Sequence, residues 1–264
     1  MLQRVTSALL AAPLVLLAAY FGGPVFVTML MLIAVLAWLE LQQLVQQPVT
    51  LYRTLGPALL GSVVLLAWLD PTLVVPAFSF SLLALLIVQL VAYDETKWPA
   101  AALAVSSFFY LGLPLIHLLL LRREADDWRF VLLLLLTTWG YDTFALFAGM
   151  RFGRVRPWAK ISPKKSVEGM LGGFLGSIGM SLAVIRFIRP DMPPTAWLGY
   201  SLLLGVAVGL LAHFGDLTES AIKRSYHVKD SGHFLPGHGG LLDRIDSVLF
   251  ASVFVYYFAK YLLL

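Results

Sequence analysis

The chain has 264 residues, 59% of them hydrophobic and 13% charged, with a mean hydropathy of +0.84 and a formal net charge of +4. An ordinary soluble domain carries about 25% charged residues, so a soluble core of this length is excluded and most of the chain is suited to lipid. The absence of cysteine excludes disulfides, thiol catalysis and cysteine-ligated zinc. There is no basic tail with interleaved aromatics, so no nucleic-acid partner is expected.

A bilayer-spanning helix needs about 20 mostly apolar residues. In chain order the candidates are roughly 5–21, 24–39, 55–69, 71–92, 99–121, 130–149, 169–188, 195–214 and 246–263. The first can pass for a signal peptide, but the many similar segments behind it favour a helix that stays in place. Gly22-Gly23 and Asp70-Pro71 read as tight turns. Residues 40–54 mix Gln with Leu and Val and read as a short amphipathic helix along the interface. The expected fold is all-α: a polytopic integral membrane helical bundle of about nine transmembrane helices in one domain, 1–264. Within it, helices of 1–121 are a scaffold and 130–264 carry the catalytic site.

Orientation follows from Lys and Arg in the short loops. Arg4, Arg53, Lys97 and the clusters within 151–165 and 223–244 fall on the side of the N-terminus. Arg122, Arg123, Arg129, Arg186, Arg189 and Lys260 fall on the other. The N-terminus is therefore expected in the cytoplasm. The two long polar segments, after the sixth and eighth helices, face the same way.

Chemistry is expected in those two segments. Asp142 lies in an apolar helix roughly 20 Å from Arg129 at 1.5 Å per residue; an acid at that depth is costly and by default functional. Its bland alternative is a carboxyl satisfied inside the bundle. If the eighth helix continues past Phe214, then Asp216, Glu219 or Ser220, and Lys223 share a face, followed by Arg224. Carboxylate, hydroxyl and cation one turn apart suit Mg²⁺ with a bound phosphate, because that ion prefers hard oxygen ligands and keeps places for substrate. The alternative is an ordinary amphipathic helix end.

Downstream, Gly237-His238-Gly239-Gly240 permits close backbone approach to an anion, and a helix opens directly after it. Asp243 and Asp246 then share a face, with Arg244 between them. Asp243 can bridge to the metal seen by Asp216, or it can be a plain N-cap. In the first segment, Ser162 or Ser166 can cap the seventh helix with Pro163 in its first turn, placing Lys164 and Lys165 at a helix N-terminus. Helix C-termini favour cations and N-termini favour anions. A metal–polyphosphate complex therefore fits between acids on helices six and eight and the N-terminal ends of seven and nine.

The run Ser220-Ala-Ile-Lys223-Arg224, Lys229-Asp230-Ser-Gly, Leu235-Pro236-Gly-His238-Gly239-Gly240-Leu-Leu-Asp243-Arg244-Ile-Asp246 resembles the signature of phosphatidate cytidylyltransferases, the CDP-diacylglycerol synthases. So do Asp142-Thr143, Gly149, Gly153-Arg154, Ser162-Pro163-Lys164-Lys165-Ser166, Glu168-Gly169 and Gly172-Gly173. One departure is Val155-Arg156-Pro157-Trp158, where a Gly-basic-Lys element is expected before Ser-Pro-Lys. It leaves open which basic residue there touches phosphate.

The resemblance implies transfer of CMP from CTP to phosphatidate, giving CDP-diacylglycerol and pyrophosphate in phospholipid biosynthesis, with Mg²⁺ required and a second cation left open. It implies Asp216 and Asp243 as metal ligands with Asp246 and Ser220 beside them. Lys164, Lys165, Ser166, Lys223, Arg224, Lys229, Gly239, Gly240 and Arg244 fall around phosphates. His238, Asp142 and Glu219 support the site. It implies a homodimer too, and a bacterial inner-membrane enzyme with its site facing the cytoplasm. A transporter is the competing class; against it, most acids cluster at one face. A CTP-dependent lipid kinase, which would transfer the γ-phosphate, and an inactive scaffold are the other rivals.

Overall fold

A computed structural model describes residues 2–45, 50–91, 98–229, 231–232 and 240–264, with side chains from residue 12 onward. The described residues form nine α-helices: α1 (Leu2–Phe21), α2 (Gly23–Gln43), α3 (Thr50–Leu69), α4 (Val74–Val91), α5 (Trp98–Ala125), α6 (Trp128–Phe152), α7 (Val167–Ile188), α8 (Pro194–Ser225) and α9 (Leu242–Phe258). A 3₁₀ turn, Pro71–Leu73, leads into α4, and a π-helical turn, Ala259–Leu263, extends α9. Eight of these stretches are long and apolar enough to cross a membrane, and α1 adds a shorter apolar run, Ala12–Phe21. The chain is an integral membrane protein of the all-α class.

The helix ends follow local chemistry. Gly22, with φ 62°, makes the turn between α1 and α2. Asp70 accepts from Thr72 N at 2.9 Å and starts the 3₁₀ turn. Asp127 caps α6 through Arg129 N at 2.9 Å. The expected interfacial helix at 40–54 is corrected: residues 40–43 are the last turn of α2 and 50–54 the first of α3, with 46–49 outside the described residues. Three of those α2 residues face inward, Glu40 at 5% exposure and Leu41 and Gln42 at 1%. α8 runs past residue 214 to Ser225 because no Gly-Pro break intervenes and Asp216/Ser220 and Glu219/Lys223 pair across successive turns, as i,i+4 spacing allows.

Short connections make neighbouring helices antiparallel. The C-termini of α2, α4, α6 and α8 therefore share one end of the bundle with the N-termini of α3, α5, α7 and α9. One apolar core joins Phe26, Leu30, Trp38 and Leu41 of α2 to Tyr52 and Leu60 of α3 and to Phe108, Leu111 and Leu115 of α5. Trp38 Nε1 donates to Tyr52 O at 2.9 Å within it. Outward faces keep residues such as Phe80, Leu90, Phe147 and Leu175 exposed, as lipid contact requires.

Lipid tails are as apolar as Leu, so helices in a bilayer are held by close packing and interhelical hydrogen bonds. α6 and α7 form the most extensive contact in the molecule. There a Cβ on Gly176 would lie 2.3 Å from Gly140 O, so the backbones themselves touch. α7 is tied to α8 by Ser177 Oγ donating to Gly205 O at 2.7 Å and by Ser181 Oγ donating to Ser201 O. This rigid triplet, with α9 against α8, fixes the four helix ends that carry the polar residues.

Candidate active site

Two clusters lie at the shared end. The first joins the segment before α7 to α8. Lys165 Nζ is 2.8 Å from Asp216 Oδ2 and reaches His213 O at 3.4 Å. Ser220 Oγ, one turn on, lies 3.3 Å from Asp216 Oδ1. His213 is buried, its Nδ1 is 2.8 Å from Tyr141 OH, and the Trp158 ring meets it edge-on at 4.4 Å. Asp142, on α6, sits among Asp216, Lys165 and Ser247 and keeps an exposed surface.

The second cluster joins α8 to α9. Lys223 Nζ lies between Glu219 and Asp243, in ion-pair contact with both. Glu219 is 1% exposed and Lys223 8%. Asp243 Oδ2 also accepts from Gly240 N at 2.8 Å and faces Ser231 N at 3.3 Å. Removing charges from water is expensive, and a buried pair persists only where geometry and further hydrogen bonds repay the loss; here one ammonium faces two carboxylates. Asp246 lies between the clusters. It is 7% exposed, accepts from Ser247 N at 2.6 Å, and has Asp216, Glu219 and Asp142 as electrostatic neighbours.

The expected residues divide accordingly. Asp142, Asp216, Ser220 and Lys165 come together, as do Glu219, Lys223 and Asp243, with Asp246 between the two groups. Three of the expected residues have protein partners here, and Ser166 is the expected cap of the seventh helix. Lys223, expected on phosphate, is committed to Glu219 and Asp243, because a buried ammonium needs buried anions. Asp243, expected to share one metal with Asp216, has its own cation, and among the described residues no three acidic or histidine side chains converge at ligand spacing. Ser166, expected near phosphate, is 2% exposed and caps α7 through Gly169 N at 3.1 Å. Pro163 accordingly precedes the helix, and its carbonyl accepts from Arg156 Nη1 at 2.9 Å.

Arg224 donates to Ile161 O at 3.2 Å and Val228 O at 3.0 Å, stapling the first polar segment to the end of α8. Lys164, Lys229 and Arg244 are exposed around the rim. Gly240 does face an acid, but a protein one: a Cβ there would lie 2.0 Å from Ser231 Oγ and 2.5 Å from Glu40 Oε2. His238 and Gly239 lie outside the described residues.

Sequence reasoning missed Glu40. Its Oε1 accepts from Leu241 N at 2.7 Å and its Oε2 from Leu242 N at 2.9 Å. The signal was present: an acid three residues after Ala37, on the inward face of an apolar helix, is a functional hypothesis by default. Ser231 and the Tyr141–His213 pair carry no such signal, since each is an ordinary residue made polar-critical only by its neighbours.

The sequence profile of the cytidylyltransferase family matches residues 2–262. A phosphatidate cytidylyltransferase of Thermotoga maritima is 45% identical over 133 residues, 50% of this chain and 49% of that protein. One of Bacillus subtilis is 35% identical over 181 residues, 67% of this chain and 65% of that protein. One of Staphylococcus epidermidis is 39% identical over 150 residues, 57% and 55% respectively. The matched stretch thus spans between about half and two thirds of these curated relatives' length.

Proposed function

This chain belongs to the cytidylyltransferase family, and from that premise we propose that it transfers CMP from CTP to phosphatidate, forming CDP-diacylglycerol and releasing pyrophosphate. The observation that carries the reading is the gathering of Asp142, Asp216, Asp246, Glu219 and Asp243 with Lys165 and Lys223 where four helix ends meet. A water-soluble triphosphate and a lipid phosphate meet only at the headgroup level, and helix ends of a spanning bundle lie there. The excess of Lys and Arg at this end favours the cytoplasmic side of a bacterial inner membrane. A homodimer remains part of the reading by resemblance.

The donor set fits Mg²⁺. Asp246 is buried among other carboxylates and accepts the Ser247 N–H at 2.6 Å, leaving a surplus of negative charge that a cation would balance. The lack of a three-carboxylate cage suits an ion that takes one or two carboxylates and completes its shell with phosphate and water. Asp216 and Asp246 would hold it, with Ser220 beside Asp216 and Asp142 adding negative charge nearby. When bound, it would neutralise charge on the triphosphate. Lys165, Lys164 and Arg224 border the same region and attract the phosphates. Asp243 and Lys223 fix α9 against α8.

The lipid phosphate is already a competent nucleophile. Its oxygen forms a bond to the α-phosphorus of CTP while the bond from that phosphorus to the bridging oxygen of the β-phosphate breaks, and pyrophosphate leaves. Positioning and charge neutralisation carry such transfers, without a strong general base.

The test uses membranes containing the protein, phosphatidate, Mg²⁺ and CTP labelled at the α-phosphate. Label entering the lipid phase supports the reading; lipid labelled only from the γ-phosphate indicates a kinase and overturns it. Asp243→Asn, which leaves Lys223 its pair with Glu219, is expected to lose about 100-fold in turnover through misplacement of the α9 end while the protein still inserts and folds. Wild-type turnover by purified Asp243→Asn would remove Asp243 from the machinery.

A further inference from the structure

Helix α9 begins without a cap of its own. Leu241 occupies the capping position in helical conformation, and no side chain there accepts the first amides. An N-terminus leaves several N–H groups orphaned, and two of them are taken by Glu40, 201 and 202 residues away in sequence. A carboxylate suits the place, because the helix dipole favours negative charge at this end.

The contact does more than cap. Ser231 Oγ stands 3.2 Å from Glu40 Oε2 and 3.1 Å from Asp243 Oδ2. Its single proton serves one of the two carboxylates at a time. Glu40 therefore holds both described flanks of the segment between α8 and α9: Ser231 on one side, Leu241 and Leu242 on the other. Gly232 and Gly240 lie against its side chain, with no room for a Cβ at 2.9 Å and 2.5 Å from its oxygens. With the Ser231 hydroxyl on Glu40 and its backbone N–H on Asp243, the chain Glu40–Ser231–Asp243–Lys223–Glu219 runs from α2 to α8.

We propose that Glu40 is a positioning residue for the transfer reaction, fixing the first turn of α9 so that Asp243 and Lys223 keep their place beside Asp216 and Asp246. The inference rests on the cytidylyltransferase reading above. Glu40 is no catalytic residue, since it is buried and its carboxylate oxygens are taken up by Ser231, Leu241 and Leu242. Its effect comes through geometry, where a misplacement of about 1 Å can cost about 100-fold. Glutamine keeps the volume but turns an NH₂ toward amides that need an acceptor.

The experiment compares full-length wild type, Glu40→Gln, Glu40→Asp and Ser231→Ala in detergent or nanodiscs. Three readouts are taken: thermal midpoint, amide hydrogen exchange over 240–246, and steady-state kinetics with CTP and phosphatidate. Glu40→Gln is expected to exchange faster over 240–246 and to lose about 10- to 100-fold in kcat, with KM values within about threefold of wild type. Glu40→Asp, which keeps the carboxylate, recovers part of the loss. Unchanged exchange or unchanged kcat overturns the proposal. So does a loss of activity that only tracks the loss of folded protein. If Glu40→Gln does not fold, Ser231→Ala decides, with an expected kcat loss of about 3- to 10-fold; wild-type kcat there overturns it. Should wild type transfer no CMP to phosphatidate, the functional reading fails by itself, and the exchange data still judge whether Glu40 fixes α9.

Discussion

The two ends of the bundle use the same residue types for opposite purposes. At the end away from the site, charges finish helices and stay at least partly exposed. Arg122 Nε donates to Ala19 O at 2.6 Å and Arg123 Nη1 to Ala67 O at 3.0 Å, closing the C-termini of α1 and α3. Asp70 and Asp127 cap the elements that follow them, and accepting Thr72 N–H holds the Asp70 carboxyl below its ordinary range. Asp126 and Asp191 are 96% and 71% exposed. At the site end, Glu40, Glu219, Lys223 and Asp246 are all buried, and acids outnumber the bases that touch them. Charge that serves only architecture can be left in water. Charge drawn inward, with anions crowded together, marks where a ligand's own charge is to be met.

Breaking the buried side of this comparison has the largest expected effect. Lys223→Met leaves Glu219 and Asp243 facing each other without their cation, and removing one partner of a buried pair costs about 3–5 kcal/mol. A collapse of the thermal midpoint in detergent is expected; a variant as stable as wild type would show that the two acids do not depend on this lysine. Gly176→Val is next. It forces a side chain into the Gly140 carbonyl where α6 and α7 touch, and overpacking of this kind costs about 1–3 kcal/mol. The same unfolding measurement reads it, with turnover falling as the α7 end shifts. The smallest effect is expected at the wet end: Asp191→Asn, which loses only the contact to Arg189 at 3.4 Å, leaves both thermal midpoint and turnover where they are, as exposed pairs generally do. A clear loss there would erase the contrast between the ends.

Most of the helices were legible because lipid imposes a long apolar run on each of them, and that pattern needs no partner to be seen. The paired spacings on α8 were legible for the same reason, since Asp216/Ser220 and Glu219/Lys223 are local. What the spacing left open was which way each face looks. Asp216 turns to Lys165 and Glu219 to Lys223, a division that the spacing alone does not contain. Residues 40–54 were misread because Gln, Leu and Val alternate there as they do at an interface. Glu40's meaning depends on amides far along the chain, which no local pattern contains. Gly240 was read as room for a substrate's anion, and the anion beside it is Glu40's own.

The distance between Glu40 and its partners has a consequence for how the protein is made. Translation proceeds at about 5–20 residues per second, and 201 residues separate Glu40 from Leu241. The carboxylate therefore enters the membrane region roughly 10–40 s before the amides that complete it exist. Its place on the final turn of α2 lets it wait at the water boundary, hydrated, until α9 arrives. Closure of the site is thereby tied to the insertion of α9, so a chain that has not yet reached that helix does not hold the assembled acid cluster.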